Sequence, residues 1–92
     1  MIALDYYLIT FDSTHAAMAA ESFFKNKNIR VKLIPLPSVI SAGCGFSLRV
    51  LPSEVKTVEP LLLQSELEWS KLYKIVKLGR TSKVEPWVLS GN

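Results

Sequence analysis

Apolar residues recur along this chain in two rhythms, every second residue or every third to fourth, and the switches between them mark out the elements. The segment Leu4–Phe11 (LDYYLITF) is rich in aromatic and β-branched residues and predicts a buried strand. It runs into Asp12, Ser13 and Thr14, each with a side-chain oxygen able to cap a helix. The helix expected next, His15–Asn26, is built of strong helix formers, with Ala16, Ala17, Ala20, Phe23 and Phe24 at helical spacing. Its alanines allow close approach to a sheet. Ile29–Ile34 then alternates apolar with basic residues, a half-buried strand.

Pro35 and Pro37 end that strand, and Leu36–Gly43 is expected to be a loop, with a short turn begun at Ser38. In Gly45–Leu51, Phe46, Leu48 and Val50 alternate with Ser47 and Arg49 and predict a third strand. Pro52–Trp69 reads as a second helix capped by Ser53, kinked or divided by Pro60. Lys71–Gly79 is the fourth strand. The order β-α-β-β-α-β predicts an α+β, ferredoxin-like fold: a four-stranded antiparallel sheet with two helices on one face. On this reading residues 1–79 are a single domain, and 80–92 are a C-terminal tail of weak periodicity held only through Trp87. The fold would bring three connections to one end of the sheet: Phe11–His15, Pro35–Gly45 and the stretch near Trp69–Lys71.

Composition narrows the function classes. At 92 residues, with 21% charged and 49% hydrophobic residues, the chain has the balance of one small globular domain. No apolar run approaches the length of a membrane span. The start, MIALDYY, carries no basic region ahead of an apolar stretch, so no signal peptide is expected and the cytoplasm is the default location. The net charge of +3 comes from 11 Lys and Arg scattered along the chain, with no nucleic-acid-binding motif, so the expectation is a solvated basic face. The single cysteine and single histidine build neither a disulfide nor a zinc site, and no metal or cofactor is expected. There is no phosphate-binding loop or dinucleotide fingerprint either, which argues against an independent hydrolase or oxidoreductase.

That leaves Ser-Ala-Gly-Cys-Gly, residues 41–45, where the only thiol stands between two glycines. Gly43 and Gly45 permit left-handed backbone on both sides of Cys44, so that several N–H groups can converge on a sulfur anion. The positive end of the first helix should face the same point, with Ser13, Thr14 and His15 in reach, His15 as proton acceptor or donor. Ser41 is a further hydrogen-bonding candidate. The plainer reading of each is structural: Cys44 as a small core hydrophobe, His15 on a solvent face, the serines as loop hydrogen-bonders.

Taken together, these residues resemble a known family. A strand ending in Thr10-Phe11, then Ser13-Thr14-His15 with Ala17, Ala20 and Glu21, then Pro35, Pro37, Ile40, Ser41, Gly43, Cys44 and Gly45 is similar to the bacterial Se/S carrier protein-like family, from Tyr6 to Leu78. The resemblance implies that Cys44 accepts sulfur or selenium from a protein donor, as a persulfide or perselenide, and passes it to an acceptor. The alternative is a non-catalytic interaction or regulatory module, able to form a homodimer through its sheet, in which Cys44 is structural.

Overall fold

A computed structural model describes residues 5–40 and 44–89. Its elements in chain order are β1 (Tyr6–Thr10), α1 (Thr14–Asn26), β2 (Val31–Pro35), β3 (Phe46–Val50), a 3₁₀ turn (Pro52–Glu54), α2 (Val55–Gln64), β4 (Leu72–Leu78) and β5 (Thr81–Pro86). The strands form one antiparallel sheet in the order β2-β3-β1-β4-β5. The architecture is α+β with two helices, but the sheet has five strands and not the four expected.

The fifth strand comes from the segment read as a tail. Leu78 pairs with Thr81, leaving Gly79-Arg80 as a two-residue hairpin loop. Gly79 has φ +63, the backbone a glycine adopts without steric cost at the first central position of a tight turn. The strand was hard to see in the sequence because Thr81, Ser82 and Lys83 are all exposed, so no apolar alternation marks it. Its end is buried nonetheless: Trp87 joins the main core cluster.

Register sorts the side chains onto two faces. Tyr7, Ile9, Leu48 and Val50 share one, where they meet Ala17, Ala20 and Phe24 of α1 and Val58 and Leu62 of α2. Both helices therefore cover the same face. The other face carries Tyr6, Leu8, Tyr73 and Ile75, and a second cluster forms there around Leu8, Ile75 and Ile40. Leu36 packs against this second cluster as well. The loop after β2 thus anchors itself on the side of the sheet that the helices leave bare.

Helix boundaries follow local chemistry. Ser13 is the N-cap of α1, its Oγ accepting the Ala16 N–H at 3.1 Å. The helix ends where Asn28 turns left-handed at φ 63, with the Ile29 N–H donating to the Phe24 carbonyl at 3.0 Å. The expected cap at Ser53 is not formed: a 3₁₀ turn intervenes, and neither it nor α2 has a side-chain cap. Glu54 instead receives the Arg30 Nε at 3.2 Å. Pro60 lies inside α2, which runs through it and stops at Gln64 rather than continuing to Trp69. Leaving Glu66–Ser70 outside any helix or strand lets the chain cross to β4.

Candidate functional site

The three connections do converge at one end of the sheet. Buried Thr10, the last residue of β1, clamps the approach to β4: its N–H donates to the Lys71 carbonyl at 2.9 Å and the Ser70 N–H donates to its carbonyl at 2.7 Å. Its Oγ1 also accepts the Lys71 N–H at 3.0 Å. Beside it, the Leu36 N–H donates to the Gly45 carbonyl at 3.0 Å and closes the β2–β3 loop. The Ile40 N–H donates to the Pro37 carbonyl at 3.0 Å, a turn where one was expected.

Cys44 sits inside this convergence and is only 3% exposed. It belongs to the main core cluster, whereas Ile40, four residues earlier, belongs to the cluster on the opposite face. Ile40 and Cys44 thus anchor the connection on opposite faces of the sheet. Among the described residues, two polar groups lie within hydrogen-bond reach of the sulfur. The Phe46 N–H donates to Cys44 Sγ at 3.4 Å, and Thr14 Oγ1 lies 3.6 Å from Sγ, where either atom is able to donate. Thr14 is the first residue of the 13-residue α1, and no acidic residue occupies that first turn. The N-terminus of α1 thus lies beside the sulfur, with the Asp12 carboxylate just ahead of the cap and none within the first turn.

Other proposed site residues are placed differently. Ser13 Oγ accepts the Ala16 N–H as helix cap, and among the described residues no hydrogen bond joins it to Cys44. His15 is exposed, and no hydrogen bond joins it to Cys44 among the described residues. Ser41 and Gly43 lie outside the described residues. Gly45 departs from expectation: its backbone is not left-handed, and a Cβ built on it meets nothing within 4 Å. Among the described residues the sulfur meets one backbone N–H, from Phe46, and one hydroxyl, from Thr14, without a left-handed Gly45. Among the described residues, no three His, Cys, Asp or Glu side chains gather to hold a metal, and no helix is long and apolar enough to cross a membrane.

Gly45 yields a direct prediction. Gly45→Ala adds a methyl group in open space and removes freedom from the unfolded chain, so stability should hold or rise by about 0.4–1 kcal/mol. Chemical denaturation measures this. A loss beyond about 1 kcal/mol means that the backbone at Gly45 is strained for a side chain.

The Phe46 N–H and the Ile40 anchor escaped the sequence reading. A backbone donor leaves no mark in residue identity. Leu36 and Ile40, four residues apart between prolines and polar residues, were the available signal for a loop folded onto the sheet.

A family model described as "Putative Se/S carrier protein-like" matches residues 6–74. The chain belongs to this Se/S carrier protein-like family. The matched span runs from the start of β1 into β4 and includes Thr14, Cys44 and Phe46. It stops before the second half of β4 and all of β5, so most of the hairpin that completes the sheet lies outside the matched residues. No curated protein and no solved structure matches the chain.

Proposed function

We propose that this Se/S carrier protein-like domain carries a sulfur or selenium atom on Cys44, taken from a protein donor and surrendered to a protein acceptor in the cytoplasm. The observation that carries the reading is the setting of Cys44. The only thiol of a family member with this description sits at the capped N-terminus of α1, with a backbone N–H already directed at its sulfur. Both features place hydrogen-bond donors beside the atom that would carry the cargo.

The transfer needs no outside oxidant. The Cys44 sulfur attacks the terminal sulfane sulfur of a donor persulfide, R–S–SH. The S–S bond of the donor breaks, R–SH leaves with the thiol proton, and Cys44 becomes Cys–S–SH. Selenium from R–S–SeH follows the same balance. Delivery reverses the step on an acceptor thiol. The protein's part is to present and stabilise the sulfur, which requires neither a metal nor an organic cofactor. At 3% exposure the described conformation shields the atom, so loading requires Cys44 to leave its contacts with the core.

The test is intact mass after incubation with a persulfide donor. The wild type should gain one sulfur, reversible with dithiothreitol, and Cys44→Ser should gain none. Equal gain by both chains, or by neither, ends the carrier reading. The burial of Cys44 favours a second reading, a structural cysteine in an interaction module or homodimer. That reading expects no sulfur gain, and a partner or second copy that binds equally well after Cys44→Ser.

A further inference from the structure

The face of the sheet not covered by helices holds a cavity of about 640 Å³, within the size range of small-molecule sites. Its lining is Asp5, Tyr6, Ile34, Arg49, Leu51, Pro52 and Lys77. Tyr6, Ile34, Leu51 and Pro52 make apolar walls. The charged residues arrive from three separate parts of the chain: Asp5 just before β1, Arg49 on β3 and Lys77 on β4.

Two of these charged side chains hold atoms that are buried and unsatisfied. Asp5 Oδ1 and Arg49 Nε are both shut off from solvent, and neither has a hydrogen-bond partner among the described residues. Buried polar atoms are nearly always paired, and an unpaired charged one costs more than a neutral one. Here an unpaired acceptor and an unpaired donor of opposite charge border one cavity without bonding to each other. Lys77, exposed at the rim, adds a second cation beside Arg49. The walls thus offer two cationic groups, one anionic group and an apolar surface.

A simple anion satisfies the arginine but meets the carboxylate as a like charge. A simple amine has the opposite fault. One ligand class answers both: a zwitterion bearing a carboxylate and an ammonium close together on an apolar body. We propose that this cavity binds a free α-amino acid with an apolar side chain. Asp5 and Arg49 are each only half-buried, and a turn of both side chains into the cavity on binding uncovers the two unpaired atoms: the ligand carboxylate then takes the Arg49 Nε–H and faces Lys77, its ammonium donates to Asp5 Oδ1, and its side chain lies against Tyr6, Ile34, Leu51 and Pro52. The site lies on the opposite face of the sheet from the core cluster that holds Cys44, and it is independent of sulfur carriage.

The test is a titration of the ¹⁵N-labelled full chain with L-leucine and L-methionine, followed by NMR through the Arg49 side-chain Nε–H. The expected result is a saturable shift of that resonance and of the Asp5 and Tyr6 amides, with Kd near or below about 1 mM. N-acetyl-leucine, which lacks the ammonium, and leucinamide, which lacks the carboxylate, should each bind roughly 10- to 100-fold more weakly. Asp5→Asn and Arg49→Gln should weaken leucine binding by a similar factor. Should Arg49→Gln fail to fold, Asp5→Asn and the two blocked ligands decide alone. No saturable shift with either amino acid overturns the proposal, and so does N-acetyl-leucine binding as tightly as leucine, which would reveal a site for plain carboxylates.

Discussion

Trp87→Ala should lower stability by about 3–5 kcal/mol, the loss typical of a buried aromatic cut to a methyl group. Trp87 is 7% exposed, meets Tyr7 edge-to-face with ring centroids 5.0 Å apart, and donates its indole N–H to Glu59 Oε2 at 2.8 Å. It thereby ties the end of β5 to both β1 and α2. A domain of this size commonly has only about 5–15 kcal/mol in total, so the variant should sit near the edge of folding. Trp87→Phe separates the contributions: it keeps a ring against Tyr7 and loses the donor, at a cost of about 1.5–3 kcal/mol for a hydrogen bond to a charged group. Urea denaturation followed by circular dichroism measures both. A loss below about 1 kcal/mol for Trp87→Ala would mean that the hairpin beyond the family span is an appendage, with the core complete without it.

Cys44 should react with iodoacetamide at least roughly 100-fold more slowly in the folded protein than in the denatured chain. A side chain 3% exposed reacts only from an opened state, and an opening that costs about 3 kcal/mol leaves that state populated below one part in a hundred. The dependence on denaturant tells which opening is used. A rate independent of low urea means a local release of the β2–β3 loop, the motion that sulfur loading requires. A rate that rises with the global unfolding slope means that Cys44 is freed only with the core, and a persulfide there would be inaccessible to a partner. A native thiol that reacts as fast as the denatured one would contradict the burial itself. Thr14→Val is a useful companion, since it removes the hydroxyl 3.6 Å from the sulfur while keeping the β-branched shape.

Much of the site's position is legible in the sequence. The N-cap chemistry of Ser13 and Thr14, the proline stop after β2 and the alternation in β3 locate the start of α1 and both ends of the cysteine loop. Given the order of elements, the joining of strands in one sheet brings those two places together. The wrong expectation at Gly45 has a clear cause. Glycine permits left-handed backbone but does not require it, and here its carbonyl accepts the Leu36 N–H while the chain bends into β3 without a positive φ. The missed β5 has another cause. Its pairing is made by backbone groups, and an edge strand with exposed side chains needs no apolar alternation.

Residue type and local spacing were thus enough for the succession of β1–β4 and the two helices, the cap at the start of α1 and the chemistry of a lone thiol. Only the tertiary structure decided that the thiol is buried. That outcome depends on Ile40 and Cys44 being drawn to opposite faces of the sheet, a matter of which surfaces the loop meets after the strands have paired. It also decided that Asp5, Arg49 and Lys77 share a cavity. They are separated by 44 and 28 positions along the chain, and no local rule couples residues so far apart until the sheet register sets them side by side.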